Sequence, residues 1–152
     1  DTGFDNMFAA YEALPAATRA KIDTMKTANV KISSSRLKSA NRDVLAEQIA
    51  LGEPPVIHPL VRTHPERGTK AIWFHTGKTE NIEGMDPTET QEFLGNLLKE
   101  SAKPEFAYTH EWKLGDLLIV DNRSALHKAG SDYDMSQHRK LYRTMVRGDR
   151  PY

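Results

Sequence analysis

The sequence predicts a mainly β chain with helical insertions, on three observations. The chain beyond residue 55 carries several short runs rich in β-branched and aromatic residues. Turn chemistry separates them, as at Pro65-Glu66-Arg67-Gly68 and Asp121-Asn122-Arg123. Helical periodicity is confined to a few segments, most of them before residue 52. Several short strands following helices suggest a β-sandwich or jelly roll with helical additions. At 152 residues the expectation is one domain, 1–152, long enough to bury a core.

Asp1 to Phe4 reads as the tail of a strand. Met7, Phe8, Tyr11 and Leu14 fall at helical spacing and predict a helix over 6–14. Pro15 can open a second helix through Ile22 and Met25, because proline is tolerated in a first turn. Residues 26–40 are polar and serine-rich, with a short strand-like stretch at 29–33. Asn41 could cap a third helix bearing Val44, Leu45 and Ile49, with Gly52 beyond its end. The stretch 26–50 is therefore expected to be a mobile lid or insertion.

Val56–His64 and Ala71–Phe74 flank a turn and read as a hairpin. Asp86-Pro87-Thr88-Glu89 is a helix start: a capping aspartate, proline at the first position and glutamate at the third. Phe93, Leu94, Leu97 and Leu98 give that helix its buried face. Phe106, Tyr108, His110 and Trp112 alternate, as a half-buried strand should. Leu117–Val120 is an apolar run that predicts a fully buried strand. Arg139, Leu141, Arg143, Met145 and Arg147 alternate and predict a last strand with these side chains on one face.

Composition narrows the function classes. Lysine plus arginine and aspartate plus glutamate both number 21, so the net charge is zero and neither nucleic acid nor an anionic membrane is the expected partner. No run approaches the roughly 20 apolar residues of a membrane span. The absence of cysteine excludes disulfides, thiolate metal sites and cysteine nucleophiles, and fits the expected cytoplasmic location.

The candidate chemistry lies in the last third. His127 follows an apolar run, and an imidazole there could hold a metal or be structural. Arg139 and Arg143, four apart on a predicted strand, would project from one face about 13 Å apart. Two guanidinium groups among apolar neighbours need anionic partners, and the planar fork of arginine suits a carboxylate; the alternative is that both are exposed on a sheet edge. His64-Pro65-Glu66 has the His-x-Glu form of a ligand pair, and His58 in the same hairpin reads as structural. His110 could be a satisfied core histidine or a pocket wall. His138 is expected on the solvent face opposite Arg139. His75, after Trp73 and Phe74, is the candidate pocket-lining residue for substrate.

Four blocks in fixed order carry a resemblance: Asp1-Thr2-Gly3-Phe4 with Ala10–Leu14, His58–Pro65, Gly115-Asp116 through Asp121-Asn122-Arg123 to His127, and Arg139, Arg143 and Gly148–Pro151. Together they are similar to the taurine dioxygenase and dichlorophenoxyacetate dioxygenase (TauD/TfdA) family, Fe(II)- and 2-oxoglutarate-dependent oxygenases with a double-stranded β-helix (jelly-roll) fold. The resemblance implies that this is the C-terminal portion of such a protein, apparently lacking its N-terminal strands. It implies His127 as the distal histidine of a two-histidine, one-carboxylate iron site. It implies Thr2 and Arg139 on the distal carboxylate of 2-oxoglutarate, and Arg143 on an anionic substrate or, if the two arginines exchange roles, on 2-oxoglutarate. It implies a hairpin cap, not a ligand pair, at His64-Pro65-Glu66. The family's His-x-Asp pair has no counterpart here. The implied activity is oxidation of a substrate C–H bond with O₂, releasing succinate and CO₂. The implied partners are a small, anionic molecule and O₂, and family members often self-associate. The alternative is a truncated, non-catalytic jelly-roll fragment acting as a binding or structural module. A metallohydrolase built on His58 and His64 has little support.

Overall fold

The computed structural model describes residues 1–31, 33, 54–130, 134, 136, 139–148 and 150–152. Strand β1 (Thr2–Asn6) sits at the centre of one sheet. It leads directly into helix α1 (Met7–Glu12), because Asn6, still extended, caps the helix with a side chain that accepts from the Ala9 N–H. Helix α2 (Ala16–Ile22) follows, with Pro15 as its flanking residue. Then come β2 (Lys26–Asn29), β3 (Val56–Pro59), β4 (Val61–Thr63), β5 (Lys70–Ile72) and β6 (Thr79–Ile82). Helix α3 (Pro87–Ser101), a 3₁₀ turn at Pro104–Phe106, β7 (Ala107–His110) and β8 (Ala125–Ala129) complete the order. The chain is thus mainly β with a few helices.

All strand pairs are antiparallel. The first sheet has the order β7-β1-β8, the second β3-β2-β6, and β4 pairs with β5. The expected hairpin forms between β4 and β5, with Gly68 supplying the left-handed backbone (φ 68°) that its turn requires. The preceding stretch, β3, pairs instead with β2. Residues 26–29, expected at the edge of a lid, are therefore a strand with Thr27 and Ala28 buried; the lid expectation for 34–50 and the helix from Asn41 lie outside the described residues.

The helices close the core against these sheets. Helix α3 begins as its sequence requires: Asp86 accepts from the Thr88 and Glu89 N–H groups, and Glu89 accepts from the Asp86 N–H. Its Leu94 and Leu97 are buried with Met7, Ile22, Leu60, Ile72 and Phe74. The Thr90 hydroxyl accepts from the Ile82 N–H at 2.9 Å, tying α3 to β6. At the α2 end, the Asp23 carboxylate accepts from Lys70 Nζ (2.6 Å) and the Tyr11 hydroxyl (2.8 Å).

Two strand expectations are corrected. Leu117–Val120 is not a buried strand: Leu117 and Ile119 are 87 % and 88 % exposed and no described strand pairs with them. Residues 139–147 form no strand either, and Leu141, Arg143, Met145 and Arg147 are exposed. The reason is common to both. Apolar alternation gives a segment the capacity to be buried, but burial itself comes from neighbours, and the described residues supply none here.

Candidate functional site

The site grows from the register of the first sheet. Directly opposed residues in an antiparallel sheet share a face, and alternate residues do likewise. Thr2 stands opposite His110 on β7 and Ala129 on β8; Phe4 stands opposite Tyr108 and His127. Thr2, Phe4, His127, Tyr108 and His110 therefore occupy one face, while Leu126 on the other packs against the core. The Phe4 ring lies between its two partners, with centroids 6.4 Å from Tyr108 and 5.9 Å from His127. His127 is exposed and offers its imidazole about 7 Å along the sheet from Thr2.

Thr2 is the buried polar group of this face. Its hydroxyl accepts from Trp112 Nε1 at 2.9 Å and from Arg139 Nη2 at 3.4 Å, the long end of hydrogen bonding. Arg139 Nη2 also lies 3.4 Å from the Asp1 carbonyl oxygen. A hydroxyl has two acceptor lone pairs and one proton, so with both lone pairs engaged the Thr2 proton is directed toward another acceptor. His110 walls the same place: its Nε2 meets Asp116 at 3.2 Å, its Nδ1 meets the Tyr108 hydroxyl at 3.3 Å, and its ring stands edge-on to Trp112 at 4.6 Å. Both ring nitrogens of His110 are thus engaged, and the residue is half-buried rather than part of the core. Trp112 is the residue at Thr2 that the sequence reading did not single out, although the 106–112 alternation already placed it on one face with His110.

Below this face a second network fixes the loop that leads into β8. His64, almost fully buried, accepts through Nδ1 from the Glu66 and Arg67 N–H groups, so its Nε2 carries the proton donated to Asp121 at 2.9 Å. His64 is the hairpin cap expected from the family resemblance. Asp121 also accepts from the Arg123 backbone N–H and guanidinium, each at 2.9 Å. The hydrogen bonds from Arg123 are the main reason the Asp121 carboxyl titrates far below the usual carboxylate range, with His64 adding to them. The Ser124 carbonyl then accepts from the Met7 N–H, so the approach to His127 is held from two sides.

Arg139 thus joins Thr2, and β1 brings His127 onto their face. Arg143 is exposed in an irregular segment. His75 lies beyond β5, exposed, where its Nδ1 accepts from Gly77 N–H and its backbone N–H donates to Thr79 Oγ1; it organises the 75–79 turn. His138 is outside the described residues. The imidazole of His127 has no hydrogen-bond partner among the described residues, which suits a metal donor. Among those residues, however, no three His, Cys, Asp or Glu side chains are grouped to hold a metal ion, so a facial triad is not assembled from them. No helix among them is long and apolar enough to cross a membrane.

Comparison with known proteins fits this geometry. A family-wide sequence profile described as "Taurine catabolism dioxygenase TauD, TfdA family" matches residues 1–145. The alpha-ketoglutarate-dependent 2,4-dichlorophenoxyacetate dioxygenase of Cupriavidus pinatubonensis is 36 % identical over 149 residues, covering 98 % of this chain and 50 % of that protein. The (S)-phenoxypropionate/alpha-ketoglutarate-dioxygenase of Sphingobium herbicidovorans is 32 % identical, covering 97 % and 52 %. Among solved structures, AAD-2 in complex with Mn(II) and N-oxalylglycine superposes with a TM-score of 0.74 at 33 % identity, covering 91 % of this chain and 54 % of that one. The chain spans about half the length of the curated relatives it matches.

Proposed function

The chain belongs to the TauD/TfdA family of dioxygenases, and from that premise we propose that it forms the 2-oxoglutarate-binding portion of an Fe(II)-dependent oxygenase. The whole protein would oxidise a C–H bond of a small, anionic substrate with O₂, releasing succinate and CO₂. The two three-stranded sheets would then belong to a jelly roll, and the protein would act in the cytoplasm.

One observation carries this reading. The Thr2 hydroxyl accepts from Trp112 and Arg139, which leaves its proton to donate, beside a guanidinium. A hydroxyl proton next to a guanidinium is a receptor for a carboxylate, and the distal carboxylate of 2-oxoglutarate is the one proposed. Bound iron would supply the oxidising chemistry, with His127 as one of its donors. The chain's own part is to grip the oxo acid at Thr2 and Arg139, to orient it along β1 toward His127, and to wall out water with Phe4, His110 and Trp112. Arg143 and His75 are proposed for the substrate rather than the oxo acid.

The test is calorimetric titration of 2-oxoglutarate into the chain. Arg139→Ala should weaken binding at least about tenfold, the loss of one charge-assisted hydrogen-bonding partner; Arg143→Ala should change it far less. Equal losses from both would overturn the division of roles. A second reading, a non-catalytic binding or structural module, is favoured by the lack of a three-donor cluster among the described residues. Succinate formed by the chain with Fe(II) and 2-oxoglutarate would exclude it.

A further inference from the structure

A second concentration of donors lies around Trp73, with His58 on β3 and Arg62 on β4, away from the sheet that carries Thr2. Arg62 on β4 is half-buried, with its guanidinium carbon 5.4 Å from the centroid of the Trp73 ring. His58 packs on the same ring at 4.9 Å. Each has a buried nitrogen without a hydrogen-bond partner: Nε of Arg62 and Nδ1 of His58. Almost every buried polar atom in a folded protein is hydrogen-bonded, so two orphans against one indole need an account.

The charges nearby make that account one-sided. The unpaired edge of β4 runs beside the end of the chain, where the Thr63 N–H donates to the Tyr152 carbonyl at 2.8 Å, and this brings Arg150 into the field of His58. Arg123 approaches Arg62 from the loop before β8. Asp121 is the acid that offsets Arg62, but Arg123 and His64 already occupy its oxygens. Among the described residues Arg62 has no carboxylate within ion-pairing distance. Burial together with Arg62 and Arg150 keeps His58 below its ordinary pKa, so it is neutral at neutral pH and does not add to the positive charge.

We propose that Arg62, with Trp73 as its floor and His58 against the same ring, is a binding site for a small oxyanion. The Arg62 Nε–H would be one of the donors that the anion satisfies. A planar guanidinium pinned on an aromatic ring presents its fork in a fixed direction, which suits a carboxylate, phosphate or sulfate. Because the site stands on β3 and β4 around Trp73, it does not depend on the assignment of Thr2, Arg139 and His127.

The experiment titrates sodium sulfate into the whole chain against sodium chloride of equal ionic strength, following tryptophan fluorescence and the Arg62 Nε–H resonance. Sulfate should move that resonance saturably. The same titration should persist in Arg139→Gln and weaken at least about tenfold in Arg62→Gln, as expected when a charge-assisted donor is lost. A resonance that does not move with sulfate would overturn the site, since a bridging water would then satisfy both orphans. So would a titration that survives Arg62→Gln, or one that disappears in Arg139→Gln, which would move the anion to Thr2. The resonance itself reads the outcome if Arg62→Gln does not fold.

Discussion

Thr2 shows how one hydroxyl can be structural and functional together. It is buried, it accepts from an indole N–H and a guanidinium, and it sits on the central strand of its sheet. Thr2→Val keeps shape and β-branching but removes the acceptor, leaving Trp112 Nε1 without a partner. The expected loss is about 1 kcal/mol of unfolding free energy, the usual net worth of a hydrogen bond, read from urea midpoints. Thr2→Ser should recover most of it. The sequence made Thr2, Arg139 and His127 legible through motif order. It left Trp112 undistinguished and His110 between two readings, because alternation tells which residues share a face but not which neighbour the face meets. Arg62 was hidden for a similar reason: its motif marks a hairpin, and its lack of a partner is visible only once Asp121 is seen to be occupied.

Among the elements, α3 was the most legible, since its start is written in local chemistry that needs no tertiary partner. Asp86→Ala removes the acceptor for two N–H groups and should cost about 1 kcal/mol. Thermal unfolding would check it, and Asp86→Ser should restore stability. The junction of α2 with β5 makes a prediction about acid. Burial alone would raise the Asp23 carboxyl, but hydrogen bonds from Lys70 and Tyr11 outweigh it and hold the group below its ordinary value of 3.8. Asp121 is held lower still by Arg123. Both therefore contribute stability above the unfolded-state pKa that is lost as pH falls through the folded one. Urea midpoints should decline gently below about pH 6.5, where the unfolded chain protonates His58 before the folded one does, and fall more steeply below about 4. Asp23→Asn should flatten part of that fall while lowering stability at pH 7. A midpoint with no added steepness below about pH 4 would show that Asp23 and Asp121 do not govern the acid limb. The segments 117–120 and 139–147 misled for the converse reason: their pattern is that of strands, but a strand exists only where a neighbour accepts its hydrogen bonds.

At the level of the whole molecule, the charge is balanced and the core is continuous, yet apolar surface is left open on one set of segments. Leu114, Leu117, Ile119, Tyr142, Met145 and Val146 are each at least 70 % exposed. Isolated exposed apolar residues are ordinary, but six within two short irregular segments are not. With a formal net charge of zero at pH 7, little electrostatic repulsion opposes contact between copies. The chain should therefore bind a hydrophobic dye such as ANS in its native state and show scattering that rises with concentration. Leu117→Ser with Ile119→Ser should lower both without shifting the unfolding midpoint by more than about 0.5 kcal/mol, because side chains this exposed contribute little to the folded state. If the double substitution instead unfolds the chain, those residues are buried in solution and 114–120 is a packed strand after all. If dye binding is unchanged, the sticky surface lies elsewhere, and Tyr142, Met145 and Val146 become the residues to replace next.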